Sequence, residues 1–321
     1  MDFQAALNFL LAGDELVLTT HVNADGDGLG ALLGLSHWLT LQNQKHRIVV
    51  ADETPDRKYR FLPGYDRIES VSNPGLATPV LRLVVVDTTT SEKRIGDVAS
   101  LIGPVTKTLV IDHHVDADKK GNVRVIDPDA SSVSELIYLL INWHVRHSNS
   151  GFTSDIATCL YAGIVFDTKL FKHSHPERAL RAAAELVTHG ADPQQIAENM
   201  FSHQTYQTVK TLGFALSNLT LHENGQIGTL YVDYKTHAMN GDLDGVVDHA
   251  MSIDGVEVAL FFKEQEPGQQ RVSLRSRGKV DVNRIARQFD GGGHIRASGC
   301  EIKGTVDEVQ ARLLSVVREQ L

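Results

Sequence analysis

The sequence predicts an α/β protein: an N-terminal doubly wound, mostly parallel sheet, joined by a helical connector to a smaller mixed α+β domain. Three observations predict it. Strand-like and helix-like runs alternate over residues 1–175, the pattern of a parallel sheet wrapped by helices. Several of those strands run out of apolar residues straight into Asp or His. From Ile227 the texture changes to closely spaced alternating strands. We place the divisions at 1–190 for the first domain, 191–219 for the connector and 220–321 for the second.

The chain has 321 residues, enough for two ordinary domains. With 42% hydrophobic and 22% charged residues it is neither disordered nor a coiled coil. A net charge of −9 argues against duplex nucleic acid as partner, since that needs a basic footprint. Cys159 and Cys300 lie far apart without Cys-x-x-Cys spacing, so neither a disulfide framework nor a thiolate zinc site is expected. The N-terminus lacks a basic leader, and no apolar run approaches the roughly 20 residues that span a bilayer. A soluble, cytoplasmic protein is expected, with no membrane partner. Oligomeric state stays open, a homodimer included.

In chain order, Phe3, Leu7, Leu10 and Leu11 share a helical face that stops at Gly13. The strand Glu15 to Thr20 ends in His21, then a polar turn with Asp25 and Asp27, then a helix from Ala31 to Leu41. Glycines 26, 28 and 30 suit tight backbone geometry in that turn, but no glycine completes a dinucleotide fingerprint. Arg47–Ala51 is a second strand, 52–66 loop and short helix, and Leu81–Val86 a strand ending in Asp87. Residues 92–102 read as helix, and Lys107–Ile111 as a buried strand that delivers Asp112, His113 and His114. Val123–Ile126 fits an edge strand. Ser132-Val133-Ser134-Glu135 fits a capping box opening a helix over 133–143. A helix over 153–165 reaches Asp167. Pro176 to Gly190 is amphipathic helix, and Pro193 to about Leu219 a long helical run. Beyond it, strands are expected at 228–234, 256–262, 270–277 and 297–302, with helices at 282–289 and 306–321.

Four separate elements therefore send His21, Asp25, Asp27, Asp87, Asp112, His113, His114 and Asp167 toward one sheet edge. Imidazole with several carboxylates suits hard or borderline divalent ions: Mn²⁺ first, with Mg²⁺ or Fe²⁺ as alternatives. So many acids cannot share a cleft without cations. A single site uses about four to six protein ligands, so eight candidates suggest two ions, about 3.5–4 Å apart as in hydrolytic two-metal sites. Such a pair would activate a bound water for hydrolysis and neutralise negative charge on a substrate. The histidines at 37, 46, 144, 147, 173, 175, 203, 222, 237 and 249 lack such company and read as ordinary surface or partly buried residues.

The second domain carries Arg271-Val272-Ser273-Leu274-Arg275-Ser276-Arg277, whose period of two sets Arg271, Ser273, Arg275 and Arg277 on one face and Val272 and Leu274 toward the core. Arginine offers a fixed donor fork for phosphate oxygens. The Gly291-Gly292-Gly293-His294 turn lets backbone N–H groups approach a ligand. Arg275, Arg277, Gly292, Gly293 and His294 are the substrate-binding candidates, with Arg296 beside them.

In order, His21-x-x-x-Asp25-x-Asp27, Val-Val-Val-Asp87, Asp112-His113-His114 and Gly163-Ile-Val-Phe-Asp167-Thr168 resemble the four motifs of the DHH phosphoesterase superfamily. Gly291-Gly292-Gly293-His294 with Ala297-Ser298-Gly299 resembles the signature of its associated C-terminal domain. The resemblance covers nearly the whole chain. It implies one metal held by His21, Asp25 and Asp87, and a second by Asp27, Asp87, His113 and Asp167, with Asp87 bridging. Asp112 would orient the imidazoles, and His114 would face the substrate phosphate and protonate the leaving oxygen. One departure stands out: where the last motif usually has glycine, two residues after its aspartate, this chain has Lys169, which either contacts substrate or turns to solvent.

Within the superfamily, the chain shows neither the membrane and sensory segments of the membrane-bound cyclic dinucleotide phosphodiesterases nor the oligonucleotide-binding barrel of RecJ-type exonucleases. Family II pyrophosphatases lack the glycine-rich signature. What remains resembles the stand-alone nanoRNase/pAp-phosphatase group. It implies a metal-dependent phosphoesterase that hydrolyses short oligoribonucleotides to mononucleotides and 3′-phosphoadenosine 5′-phosphate (pAp) to AMP. A short substrate also suits an acidic chain without a long basic groove. The alternatives are a linear or cyclic dinucleotide phosphodiesterase and, in a different class, a non-catalytic nucleotide-binding regulator on the same fold.

Overall fold

The structure, a computed structural model, describes all residues except 1, 73–78, 115–120, 147–150, 173–175, 203–204, 239–242 and 244. His147, His173, His175 and His203 therefore lie outside the described residues. The chain divides into two compact units, 1–203 and 204–321.

In the first unit the elements run α1 (Phe3–Leu10), β1 (Leu16–Thr19), α2 (Gly26–Leu41), β2 (His46–Val50), β3 (Ile68–Ser70), β4 (Arg82–Val86), α3 (Glu92–Ile95), β5 (Lys107–Asp112), β6 (Val123–Ile126), α4 (Val133–Val145), α5 (Ser154–Asp167), α6 (Pro176–Thr188) and α7 (Pro193–Ala197). The strands form one parallel sheet in the order β3-β2-β1-β4-β5-β6. This is the doubly wound sheet that the alternation predicts. Buried strand residues alternate between two cores. Leu16, Leu18, Val84, Val86, Leu109 and Ile111 join α1, α2, α4, α5 and α6 on one face. Val17, Val49, Leu83, Val85 and Val110 meet Ile95, Val98 and Leu101 on the other. The winding direction reverses between β1 and β4, and the carboxyl ends of strands at such a switch point form a ligand crevice.

The second unit contains α8 (Tyr206–Ser217), β7 (Thr220–His222), β8 (Ile227–Val232), α9 (Tyr234–His237), α10 (Val246–Met251), β9 (Val258–Glu266), β10 (Gln269–Ser276), α11 (Val282–Arg287), β11 (Gly292–His294), β12 (Ala297–Lys303) and α12 (Val306–Arg318). Its sheet is mixed, in the order β11-β12-β10-β9-β8-β7, with only β8 and β9 parallel among the described pairs. It has cores of its own on both faces.

Several expectations change. Helix α2 starts at Gly26, inside the expected polar turn, because Asp25 caps it. Residues 92–102 are one short α-helix followed by a 3-10 segment over Gly96–Leu101, since Gly96 at φ +55° breaks the run. The long helix expected from Pro193 to Leu219 is interrupted: α7 passes into a π-helical turn at Glu198–Ser202, and Thr205 caps α8 anew through Thr208 N–H (3.1 Å). The capping box at Ser132 is half formed. Ser132 Oγ accepts from Glu135 N–H (3.0 Å), but the Glu135 carboxylate turns to Ser131 instead. The short strands β3, β7 and β11 escape a pattern search because three residues are too few to show a period. Gly292–His294 is consequently an edge strand paired with β12, and not a turn.

Candidate metal centre

Residues from three neighbouring strands meet at the switch point. His21 follows β1, Asp87 follows β4, and Asp112, His113 and His114 close β5. Asp25 and Asp27 enter from the start of α2 and Asp167 from the end of α5.

His21 Nδ1 faces the Val22 carbonyl (2.9 Å), which leaves Nε2 directed at Asp25 Oδ1 (3.7 Å) and Asp87 Oδ2 (3.5 Å). His113 repeats the arrangement: Nδ1 faces the Ala130 carbonyl (3.2 Å), and Nε2 lies 3.4 Å from Asp87 Oδ1 and 3.5 Å from Asp167 Oδ2. An imidazole whose Nδ1–H is held by a carbonyl presents Nε2 as a ligand, the usual arrangement at metal sites. Asp112 is fully buried. Its Oδ1 accepts from His114 Nδ1 (2.7 Å) and from the backbone N–H groups of His113 (2.8 Å) and His114 (3.2 Å). It thus orients one ring, that of His114, while the Ala130 carbonyl orients the other.

Asp27 has both oxygens on the N-terminus of α4: Val133 N–H donates to Oδ2 (2.6 Å) and Ser134 N–H to Oδ1 (3.0 Å). Nothing near Asp27 in sequence signals this partner. Asp52, which the sequence left unremarked, accepts from Asn23 N–H (2.9 Å) and Ala24 N–H (3.0 Å) and fixes the turn before α2. Arg94 ties the next loop in, its carbonyl accepting from Val22 N–H and its Nε donating to Thr88 Oγ1 (2.9 Å).

Two placements are costly in themselves. Asp87 adopts φ +59°, the left-handed region that costs a non-glycine residue about 1–2 kcal/mol. Asp167 puts a carboxylate at a helix C-terminus, where the peptide dipoles disfavour it. Burial pushes its pKa up to about 6, with Asp87 and Asp25 adding to the effect. Burial likewise raises the Asp27 carboxyl, with Asp87 and Asp167 contributing. Burial works against charge on His21 and His113, yet the facing carboxylates win and raise both. Asp87 is buried too, but the His113 and His21 imidazoles hold it far below the carboxylate range. The cluster therefore calls for positive charge.

The donor set fits divalent cations. Within the first unit, three groups of described residues each offer ligand atoms within 4.8 Å of one another: His21/Asp25/Asp87, Asp27/Asp87/His113 and Asp87/Asp112/His114. Asp87 belongs to all three. Its Oδ1 is buried and accepts no hydrogen bond among the described residues, a lone-pair position suited to a shared cation.

The second-unit candidates are placed as follows. Arg275 lies on the polar face of β10, with Nε 3.4 Å from Asp248 Oδ1. Arg277 donates from Nε to the Val256 carbonyl (2.7 Å) and from Nη2 to the Met251 carbonyl (2.6 Å), which ties up much of its fork in closing α10. The glycines divide by role. A Cβ on Gly291 would stand 2.2 Å from the Gly299 carbonyl, and one on Gly293, at φ +137°, 2.6 Å from the Ala297 carbonyl. A Cβ on Gly292 would meet nothing within 4 Å. His294 ends β11 with its carbonyl bound by Ser298 Oγ (2.8 Å). Lys169 takes φ +48°, which explains why glycine suits that position, and its Nζ sits 4.2 Å over the Phe166 ring.

The doubly wound sheet thus holds a donor set for divalent cations at its switch point, and comparison with known families makes the protein a metal-dependent phosphoesterase. The DHH family N-terminal domain matches residues 15–164 and the DHHA1 domain residues 224–321. The chain belongs to the DHH family. It is 32% identical over 312 residues to a bifunctional oligoribonuclease and PAP phosphatase of Thermus thermophilus, covering 95% of this chain and 90% of that one. With the Bacillus subtilis protein of the same description it shares 31% identity, covering 95% and 96%. A cyclic-di-AMP phosphodiesterase of Listeria monocytogenes is 27% identical over 98% of this chain but only 49% of its own length. Among solved structures, an exopolyphosphatase-related protein from Bacteroides fragilis superposes with a TM-score of 0.88 at 25% identity, covering 99% and 95%.

Proposed function

We propose that this enzyme hydrolyses short oligoribonucleotides to mononucleotides and converts pAp to AMP, with two divalent cations, Mn²⁺ in the first instance. The observation that carries the reading is the cluster centred on Asp87. The choice of substrate rests on likeness along the full length of relatives described as oligoribonuclease and PAP phosphatase, whereas the cyclic-di-AMP phosphodiesterase is matched over half its length.

When bound, the cations supply Lewis acidity that lowers the pKa of water and neutralises phosphoryl charge. His21, Asp25 and Asp87 would hold one, and Asp27, Asp87, His113 and Asp167 the other. The chain's own contribution is placement. Backbone carbonyls fix the His21 and His113 tautomers, and α4 fixes Asp27. Asp112 holds His114 Nδ1, so Nε2 is the nitrogen that would deliver a proton to the leaving oxygen. On the second unit, Arg275, Gly292, Gly293 and His294 would select the substrate, with Arg277 contributing what its backbone bonds leave over. We place the enzyme in the cytoplasm; no helix among the described residues is long and apolar enough to cross a membrane.

The test is hydrolysis of 2-mer, 5-mer and 24-mer RNA, pAp, pApA and cyclic di-AMP with Mn²⁺. Fastest turnover of the 2-mer to 5-mer range and of pAp is expected, with a loss in Asp87→Ala of at least about 100-fold, the upper end of the scale for losing merely a partner behind a metal ligand. Preference for the 24-mer would sink the short-substrate reading. Exclusive action on cyclic di-AMP or pApA would select the dinucleotide phosphodiesterase. Undiminished activity in Asp87→Ala would overturn the metal mechanism.

A further inference from the structure

Arg178, on the outer helix α6, grips two acids that bracket one short segment. Its Nη1 lies 2.9 Å from Asp127 Oδ2, and its Nε bonds Glu135 Oε1. Glu135 is fully buried, and its second oxygen accepts from Ser131 N–H (2.9 Å) and Ser131 Oγ (2.6 Å). Asp127 leads out of β6, its N–H on the Asp112 carbonyl (3.2 Å), and its own carbonyl accepts from Ala130 N–H (3.0 Å). Residues 127–135 are therefore pinned at both ends by one guanidinium.

That segment makes the contacts that aim two residues of the metal cluster. The Ala130 carbonyl takes His113 Nδ1, and the N–H groups of Val133 and Ser134 take both oxygens of Asp27. His113 and Asp27 come from β5 and α2, with no other shared support among the described hydrogen bonds.

We propose that Arg178 is a positioning residue for the metal centre, acting through residues 127–135 on His113 and Asp27. The proposal rests on reading the cluster as a cation site. Stability alone explains the residue poorly. A buried ion pair is often replaceable by apolar side chains at no loss, and Arg178 Nη2 is buried without an acceptor among the described residues. A fixed geometry is what a forked donor between two carboxylates supplies.

The test uses the full chain as wild type, Arg178→Met, Arg178→Lys and Tyr138→Phe. Mn²⁺ binding is followed by calorimetry and by the electron paramagnetic resonance of bound Mn²⁺, at a temperature where circular dichroism shows each protein folded. Tyr138→Phe is the control for general loosening, because the hydroxyl it removes bonds Glu185 of α6 and Asn142 and, among the described hydrogen bonds, no group of 127–135. Arg178→Met should weaken Mn²⁺ binding by about 10- to 100-fold, the scale of losing support behind a ligand. Arg178→Lys should fall between it and wild type, and Tyr138→Phe should bind as wild type. Wild-type affinity in folded Arg178→Met overturns the positioning role, as does an equal loss in Tyr138→Phe. Should Arg178→Met not fold, Arg178→Lys and Asp127→Asn decide: weakened binding in both supports the role, and wild-type binding in both overturns it. A wild-type protein that takes up no Mn²⁺ removes the metal centre itself, an outcome visible before any variant is compared.

Discussion

Single residues carry the sharpest consequences at the glycines of β11. Gly293 has both a left-handed φ and a backbone carbonyl where its Cβ would go, whereas Gly292 has neither obstacle. Gly293→Ala should therefore lose about 1–3 kcal/mol in urea denaturation. Gly292→Ala should stay within about 0.5 kcal/mol of wild type, yet raise KM for a dinucleotide if substrate lies against this strand. Equal destabilisation by the two would assign Gly292 to the fold alone, and an unchanged KM would remove it from the binding surface. A second residue responds to pH. His46 holds Ser36 Oγ (2.7 Å) and the Gln44 carbonyl (2.8 Å), and burial lowers its pKa. The folded state thus binds this proton less readily than the unfolded chain. Its contribution is complete above about pH 6.5 and is lost as the pH falls from there through the folded-state pKa. The urea midpoint should drop less between pH 7.5 and 5.5 in His46→Gln than in wild type; parallel drops would refute this.

Among the elements, α2 and α5 must approach closely, because they carry Asp25 and Asp27 at one end and Asp167 at the other. Gly30 allows it: a Cβ there would lie 2.6 Å from the Cys159 carbonyl and 3.0 Å from Gly163 N. Gly163 in turn leaves room for Ser134 and Asp27. The sequence suggested that glycines 26, 28 and 30 serve a turn; the structure sets Gly26 and Gly30 against α5 and Gly28 against Thr20 after β1. Gly30→Ala should cost about 1–3 kcal/mol by overpacking and shift Asp167 away from His113, which a chemical denaturation curve and Mn²⁺ titration would register together. Gly34→Ala should cost less, since its Cβ meets side-chain atoms, Leu160 Cδ2 (2.6 Å) and Cγ (2.7 Å) and Cys159 Cβ (3.6 Å), rather than backbone. The reverse order would mean that backbone contact is not what limits the helix pair.

For the whole molecule, each unit buries its own apolar clusters: one pair of cores flanks the parallel sheet and another the mixed sheet. Residues 1–203 made alone should unfold cooperatively and still bind Mn²⁺, because every proposed metal ligand lies within them. They should lose most of their activity on a dinucleotide, whose contacts we assign to the second unit. A fragment that binds no Mn²⁺ would show that the cluster needs the C-terminal unit to form.

Much of this was legible before any coordinates. Apolar β-branched runs ending in Asp or His gave the parallel strands and the edge on which ligands gather, because a strand's period and its polar terminus are local properties. The family motifs added Asp87 as the shared carboxylate. Short strands, the break at Thr205 and the start of α2 were not legible, since three-residue pairings and caps compete with periodicity on equal terms. Least visible was the support: Asp27 is held by α4 from more than a hundred positions away, and Arg178 grips the segment whose Ala130 carbonyl faces His113 Nδ1. Those bonds join residues that chain spacing cannot relate. The sequence determined which side chains gather at the switch point; only the tertiary structure decided how each is aimed, because aim is set by hydrogen bonds between distant segments.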